Sequence, residues 1–237
     1  MLKVVGIVGY QGSGKTTLIR ALARELTARE REVAVIKHSS HHLDLPGKDT
    51  AALRETVGQA GFISPQESAV FWKKSLSLEN IIPYLEADLI LVEGFKKEKT
   101  YPKIACLRGE PDDQNLFDGL VICAVGPTDQ VEGLDVPLLS RDETDKIADL
   151  VEEKAFKLPN LDCEGCGYER CYDLAREIVA GNRSVEDCVS LQPATEVRID
   201  GQLLSMNPFI SGIVRGAILG MLSSLKGYKK GRIEIRI

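Results

Sequence analysis

The amino-acid sequence predicts an α/β protein with a mostly parallel sheet, extended at its C-terminal end by two small modules. Three observations support this arrangement. Short apolar strands alternate with helical segments over residues 1–157, a phosphate-binding loop joins the first strand to the first helix, and four cysteines cluster beyond that region. Strands that alternate with helices are typical of a parallel sheet with helices on both faces.

Each element of the first domain follows from its hydrophobic pattern. Strands are expected where short apolar, β-branched runs occur, at 2–8, 32–37, 66–72, 87–92, 103–107 and 120–125. Helices are expected where apolar residues recur every three or four positions, at 16–29, 50–56, 78–85 and 144–157. Ligands of such sheets bind at the carboxyl ends of the strands, so we expect the functional residues at that edge.

Composition narrows the class of protein. The 237-residue chain has a formal net charge of −5, so no overall positive field favours nucleic acid or a membrane surface. No apolar run is long enough to span a bilayer, and the first strand begins at once, without a signal peptide. We therefore expect a cytoplasmic protein with reduced thiols and with no nucleic-acid or membrane partner.

Residues 9–16 form a complete G-x-x-x-x-G-K-T phosphate loop between a strand and a helix, as this motif requires. Such a loop turns backbone N–H groups toward phosphate oxygens, and the helix behind it adds partial positive charge. We expect Lys15 to reach the β- and γ-phosphates as a binding and catalytic residue, and Thr16 to bind Mg²⁺. The expected nucleotide contacts are Gly9, Gln11, Gly12, Ser13, Gly14, Lys15, Thr16 and Thr17. The first domain is therefore predicted to be a P-loop NTPase.

A second acid usually supports Mg²⁺ from the end of a buried strand. Glu93 ends the apolar run at 89–92 and precedes a glycine, so it is the candidate metal ligand and second catalytic residue. The other interpretation of Glu93 is a solvated acid at a strand end.

The polar segment 37–49 contains all three histidines of the chain, together with Asp44 and Lys48. One interpretation is a contact with phosphate or substrate, for which Asp44 and Lys48 are the candidates. The others are transition-metal ligation by the histidines and a plain surface loop. No Asn-Lys-x-Asp element for reading guanine is present, and the nearest candidate for a base contact is Thr128 with Asp129.

Four ordered motifs give the first domain a family resemblance. They are the phosphate loop, Val-Ile-Lys-His at 35–38, Asp-Leu-Pro-Gly-Lys-Asp at 44–49 and Leu-Val-Glu-Gly-Phe-Lys at 91–96. Over residues 1–155 the chain resembles the molybdopterin-guanine dinucleotide biosynthesis protein B (MobB) family. That family commonly has a longer acidic stretch after the histidines, so no metal is assigned to His41 and His42 by resemblance.

The resemblance has implications for activity and partners. It implies a GTP-binding protein with weak GTPase activity, and a homodimer that assists the enzyme attaching GMP to molybdopterin. A molybdopterin guanylyltransferase or a molybdoenzyme is the implied partner. The family lies near nucleotide-driven metallochaperones and P-loop kinases.

The cysteine cluster has the spacing C-x2-C-x4-C-x16-C, formed by Cys163, Cys166, Cys171 and Cys188. Four thiolates suit a 4Fe-4S cluster or a structural zinc ion. Zinc sites of this kind usually use two matched C-x2-C pairs, whereas here the fourth cysteine returns after a helix. The spacing therefore favours a 4Fe-4S cluster, with zinc and free thiols as the alternatives. The segment also resembles the small cluster-binding domain of Rnf-type electron-transport subunits.

The remaining cysteines and the C-terminal region complete the expected organisation. Cys106 and Cys123 lie in predicted strands and are expected to be core residues. A hairpin at 195–206, an amphipathic helix at 208–225 and a strand at 232–237 form a β-β-α-β module. The helix is expected to pack on its own hairpin, with partner binding as the alternative. The expected units are 1–157, 158–192 and 193–237.

Three functions are consistent with these features. The first is a GTP-binding accessory protein of molybdenum-cofactor biosynthesis, using GTP, Mg²⁺ and a 4Fe-4S cluster, with slow intrinsic hydrolysis. The second is a nucleotide-gated metallochaperone or redox-responsive regulator. The third is a P-loop small-molecule kinase, for which Arg54 is a candidate lid arginine, although the sequence has no lid-like insertion.

Overall fold

The structure, a computed structural model, has a parallel sheet at its centre and a cysteine-rich module packed beside it. It describes residues 2–39, 53, 56–127, 133, 135–192, 195–199, 201–229, 231 and 233. In that part of the chain, no helix is long and apolar enough to cross a membrane.

The strands are short, and most of them lie in the first half of the chain. They are β1 (Lys3–Gly9), β2 (Val33–Lys37), β3 (Gln59–Ile63), β4 (Ser68–Trp72), β5 (Leu89–Glu93), β6 (Lys103–Cys106), β7 (Val121–Val125), β8 (Leu138–Leu139), β9 (Arg198–Ile199) and β10 (Gln202–Leu203). The α-helices are α1 (Lys15–Ala28), α2 (Leu78–Ile81), α3 (Thr144–Lys154), α4 (Cys171–Val179) and α5 (Pro208–Ser223). Short 3-10 helices lie at Ile82–Tyr84, Pro111–Leu116 and Val185–Asp187.

The main sheet has six strands in the order β2-β5-β1-β6-β7-β8, and every neighbouring pair is parallel. This confirms the predicted α/β class. The register pairs Lys37 with Glu93 and Gly9 with Cys106, so the carboxyl ends of four adjacent strands share one edge. Residues that follow these strands are therefore brought together at that edge.

The core on one face of the sheet is formed by α1 and α3. Apolar residues of α1 at three- and four-residue spacing are buried against the strands, which stabilises the helix through its packed face. Cys106 and Cys123 are 1% and 0% exposed within this core, as predicted. Burial raises the pKa of the Cys123 thiol to about 12, so this cysteine is an inert core residue.

Several predicted elements differ from the structure. β3 and the two-residue β8 were not predicted; β3 pairs antiparallel with β4 in a separate hairpin. The helix predicted at 78–85 is one α-helical turn followed by a 3-10 turn, and Pro83 accounts for the change because it cannot donate a helical hydrogen bond. The helix predicted at 144–157 ends at Lys154. The helix predicted at 50–56 lies largely outside the described residues, as does Arg54.

The predicted packing of the C-terminal helix is wrong. In α5 only Ser211 is buried, while Phe209 is 73% exposed and Ile213 is 53% exposed. The hairpin β9–β10 pairs only two residues on each strand, which is too short to cover the apolar side of a helix this long. The final strand predicted at 232–237 lies almost wholly outside the described residues.

Candidate functional site

The phosphate loop occupies the turn between β1 and α1. Gly9 is the last residue of β1, and Gly14 precedes α1 with a left-handed φ of 81°. Among the described residues no side chain caps this helix end, and its first turn carries no acid. The first N–H groups of a helix lack partners within the helix, so this end is open to an anionic ligand.

The loop residues expected to contact phosphate differ in their exposure and in their hydrogen bonds. Gln11 and Gly12 are exposed at the turn, while Ser13 is 1% exposed. The Ser13 hydroxyl has no hydrogen-bond partner within the described residues. The Lys15 ammonium donates to the carbonyl of Tyr10 at 2.7 Å, so it lies folded over the loop. Thr17 is exposed in the first turn of α1.

Thr16 and Glu93 meet at the sheet edge, as the metal-site interpretation requires. The Thr16 hydroxyl donates to Oε1 of Glu93 at 3.1 Å. The Lys37 ammonium, at the end of the neighbouring strand β2, pairs with the same carboxylate oxygen at 3.1 Å. Glu93 is 8% exposed and is held by these two donors. A hydroxyl and a carboxylate are oxygen donors of the kind that Mg²⁺ prefers.

Sequence reasoning missed three cationic residues at this edge. The Lys96 ammonium lies 3.4 Å from the centre of the Tyr10 ring, and the Arg108 guanidinium lies 4.7 Å from it. Arg141, after β8, donates to the carbonyl of Ser13 at 3.0 Å. Only Lys96 carried a signal, since it ends one of the family motifs. Arg108 and Arg141 reach the loop only through the strand order.

Part of the predicted site lies outside the described residues. This applies to Asp44, Lys48, His41, His42 and the proposed base contact at 128–129. Of the three histidines, His38 is described, and its ring lies 4.2 Å from that of Phe95 at a tilted angle.

The four clustered cysteines lie before, at the start of and after α4. Cys171 is the first residue of α4, and Cys188 follows the 3-10 turn Val185–Asp187. Both are buried in an apolar cluster against which Cys166 also packs. Cys163 Sγ lies 3.3 Å from the hydroxyl of Ser190, two residues beyond Cys188. Three of the cysteines therefore share one apolar cluster, and Cys163 lies beside Ser190 near its edge.

The backbone around Cys163 has an unusual conformation. Asp162 and Glu164 have φ values of 42° and 58°, which non-glycine residues rarely adopt. Left-handed residues within a turn form N–H-lined concavities that occur at many iron–sulfur sites. Together with the four thiols, this chemistry fits an iron–sulfur cluster. Among the described residues, no group of three or more His, Cys, Asp or Glu side chains is arranged to hold a single metal ion.

The cysteine-rich module is attached to the nucleotide domain by polar and apolar contacts. The Tyr172 hydroxyl, next to Cys171, donates to the backbone carbonyl of Asp118 at 2.5 Å. The Lys99 ammonium lies 4.6 Å from the Tyr172 ring and binds the Asp118 carboxylate at 2.7 Å. Leu120 of the first domain shares the apolar cluster of α4.

Asp118 also binds a buried lysine. Lys103, 1% exposed, donates to the Asp118 carboxylate at 2.7 Å and to the carbonyl of Lys96 at 2.9 Å. Burial lowers the pKa of Lys103, and Asp118 opposes that change. This network runs from the segment carrying Lys96 to the start of α4.

Two family models match the chain. Residues 4–125 match "Molybdopterin guanine dinucleotide synthesis protein B", and residues 158–190 match "Putative Fe-S cluster". These matches confirm the two resemblances drawn from the sequence.

Named relatives agree with the family match. The "Putative molybdopterin-guanine dinucleotide biosynthesis adapter protein" of Methanocaldococcus jannaschii is 30% identical over 248 aligned positions, covering 100% of this chain and 98% of that protein. The molybdopterin-guanine dinucleotide biosynthesis adapter protein of Haemophilus influenzae is 36% identical over 159 positions, covering 64% of this chain and 88% of that protein. Likeness to the archaeal protein therefore extends through the cysteine-rich module.

A solved structure shows the same fold in the first domain. Bacillus subtilis MobB aligns with a TM-score of 0.55 at 22% identity, covering 65% of this chain and 99% of that chain. This likeness concerns the fold alone.

Proposed function

Because the chain belongs to the molybdopterin guanine dinucleotide synthesis protein B family, we propose that it is a GTP-binding adapter protein of molybdopterin guanine dinucleotide biosynthesis. The observation that carries the proposal is the phosphate loop with the Thr16–Glu93 contact at its edge. This contact brings a hydroxyl and a carboxylate together beside an uncapped helix N-terminus. Such an arrangement suits Mg²⁺ with a nucleoside triphosphate.

Each site residue then has a role. The loop N–H groups and Lys15 bind the phosphates, and Thr16 with Glu93 holds Mg²⁺. A bound Mg²⁺ neutralises phosphate charge. Asp44 and Lys48 remain candidate nucleotide contacts. Lys37 orients the Glu93 carboxylate, because it pairs with that group at 3.1 Å.

Nucleotide selectivity and turnover test this proposal. Calorimetric titration with Mg²⁺ present is expected to give tighter binding of GTP than of ATP. Intrinsic hydrolysis is expected to be slow, because fast GTPases orient the attacking water with a dedicated side chain, which none of the proposed site residues supplies. An ATP preference, or rapid GTP turnover without any partner, contradicts the proposal.

The same proposal includes an oligomeric state and a partner protein. We expect a homodimer that works with a molybdopterin guanylyltransferase or a molybdoenzyme, in the cytoplasm. The units 1–157, 158–192 and 193–237 are proposed as the GTP-binding domain, the cluster module and the C-terminal module. Light scattering at defined protein concentration tests the dimer, and a monomer at all concentrations contradicts it.

The cysteine-rich module is proposed to hold a 4Fe-4S cluster through Cys163, Cys166, Cys171 and Cys188. The cluster, when bound, supplies one-electron redox chemistry. Anaerobic protein is expected to be brown, with a broad absorption at about 400 nm and iron matched by sulfide. Serine at any of the four positions is expected to reduce iron content, whereas Cys123→Ala retains it because that thiol is a core residue. Stoichiometric zinc in colourless protein contradicts the assignment.

A second function is favoured by one observation: a nucleotide-gated metallochaperone or redox-responsive regulator. The Lys103–Asp118–Tyr172 contacts join the strand edge of the nucleotide domain to the helix that begins with Cys171. Through these contacts, a structural change at the nucleotide site can reach the helix that begins with Cys171, and the reverse. A cluster reduction potential that differs between GTP-bound and GDP-bound protein supports this function; equal potentials favour the adapter alone.

A further inference from the structure

Three positive charges meet at Tyr10, the second residue of the phosphate loop. The Lys96 ammonium lies 3.4 Å from the ring centre and the Arg108 guanidinium lies 4.7 Å from it. The Lys15 ammonium donates to the carbonyl of the same tyrosine at 2.7 Å. The nucleotide contacts proposed above use Lys15 and leave Lys96 and Arg108 without a role.

Tyr10, Lys96 and Arg108 lie just after the ends of three adjacent strands of the sheet. Tyr10 follows β1, Lys96 follows β5 on one side, and Arg108 follows β6 on the other. The backbone of Lys96 is fixed by Lys103, whose ammonium donates to the Lys96 carbonyl at 2.9 Å. The Arg108 side chain is fixed by Asp112 at 2.6 Å. The positions of these two cations are therefore fixed by the fold.

The charges in this cluster are incompletely balanced. Asp112 pairs with Arg108 at 2.6 Å, and one carboxylate oxygen of Asp113 lies 3.8 Å from Nε of the same guanidinium. The other oxygen of Asp113 accepts the three backbone N–H groups of residues 108–110. Within the described residues, no carboxylate forms a salt bridge with Lys96, which is exposed to solvent. Partial desolvation of the ammonium, and then the positive charge of Lys15, lower the pKa of Lys96, while Asp112 opposes the change. A bound anion would relieve this repulsion.

We propose that Lys96 and Arg108, held against the Tyr10 ring, form a second anion subsite that binds the phosphate monoester of a small molecule other than the nucleotide. A phosphate monoester carries about −1.5 to −2 charges at neutral pH, so the excess of positive charge around Tyr10 attracts it. The Lys96 ammonium supplies a point charge, and the Arg108 guanidinium, whose Nη2 is bonded to Asp112, adds positive charge beside it. The inference rests on the proposed nucleotide binding, because that binding occupies Lys15.

The test uses full-length protein saturated with Mg²⁺ and a non-hydrolysable GTP analogue, so that the nucleotide phosphate positions are filled. Inorganic phosphate is then titrated by calorimetry as the probe. We expect saturable binding that Lys96→Met and Arg108→Met each weaken about tenfold or more, as for a hydrogen bond to a charged group. The matched control Lys97→Met removes the same charge from the neighbouring exposed residue and is expected to change affinity by less than about twofold.

Each other outcome overturns the inference. Phosphate that binds only when GDP replaces the analogue occupies the γ-phosphate position, not a second subsite. Equal weakening by Lys96→Met and Lys97→Met indicates attraction to surface charge alone. If the analogue binds but phosphate does not, the subsite is wrong while nucleotide binding stands. If the analogue itself does not bind, the proposed function fails and this inference fails with it.

Discussion

The Thr16 hydroxyl donates a 3.1 Å hydrogen bond to the carboxylate of Glu93, joining the start of α1 to the end of β5. The two residues are 77 positions apart in the chain, and the pairing of β1 with β5 brings them together. Their contact places a hydroxyl oxygen and a carboxylate oxygen side by side next to the phosphate loop. The proposed function requires this position to hold Mg²⁺ with a nucleotide.

Glu93→Gln is expected to weaken GTP binding by about tenfold in the presence of Mg²⁺, because the amide removes the negative charge that supports the metal. With Mg²⁺ chelated, the variant and the unaltered protein are expected to bind GTP alike. Calorimetry under both conditions measures the difference. Glu153→Gln, on the exposed side of α3, is the control and should change neither value. Equal losses with and without Mg²⁺ would falsify the metal role.

Gly14→Ala is expected to cost more stability than Gly12→Ala. Both glycines have left-handed φ values, 81° and 78°, so alanine at either costs about 1–2 kcal/mol. At Gly14 the added Cβ would also lie 2.8 Å from the guanidinium carbon of Arg141, whereas at Gly12 no described atom lies within 4 Å. The guanidinium must move and lose its bond to the Ser13 carbonyl, which adds about 0.5–1.5 kcal/mol. Urea unfolding of the two variants measures the difference. Equal losses of stability would contradict the close approach of Arg141 to Gly14.

Asp118→Ala is expected to destabilise the protein by about 3–5 kcal/mol, because it leaves the buried Lys103 ammonium without its carboxylate. The second lysine that pairs with Asp118 is Lys99, and its side chain is 38% exposed. Lys99→Met is therefore expected to lower the free energy of unfolding by at most about 1 kcal/mol. Denaturant unfolding of the two variants measures the contrast. Equal effects would show that the ion pair with Lys103 is not the source of the stabilisation.

Because Asp118 is ionisable, its contribution to stability is expected to depend on pH. Burial raises the pKa of Asp118, but hydrogen bonds from Lys103 and Lys99 outweigh this and hold it below its ordinary value. The stabilisation is therefore complete above the unfolded pKa of about 3.9 and is lost as pH falls through the lower folded pKa. The stability difference between the unaltered protein and Asp118→Asn should shrink below about pH 4. Asp142→Asn, an exposed control, should show no such trend; a constant difference for Asp118→Asn contradicts the assignment.

The sequence was a good guide where signals were local. The loop at 9–16 and the buried strands each depend on near neighbours in the chain, and the structure places them at the expected positions. β3 was missed because Gln59-Ala60-Gly61 has low strand propensity and its alternate residues are exposed. Arg108 and Arg141 were missed because only the strand order brings them to Tyr10 and Ser13.

The C-terminal helix shows a different limit. Its apolar stripe correctly indicated a helix, but periodicity does not state what covers the stripe. The contact between Tyr172 and Asp118 was equally invisible, because a tyrosine hydroxyl bonded to a distant backbone carbonyl leaves no pattern in the sequence.

Calorimetric titration of Mg²⁺–GTP into the full-length protein and into Lys15→Met tests the central claim most directly. We expect one GTP per chain in the unaltered protein and an affinity about 10- to 100-fold weaker in Lys15→Met, because the lysine makes charge-assisted bonds to the phosphates. Undiminished binding by Lys15→Met, or no GTP binding by the unaltered protein, would contradict the assignment of this loop as the nucleotide site.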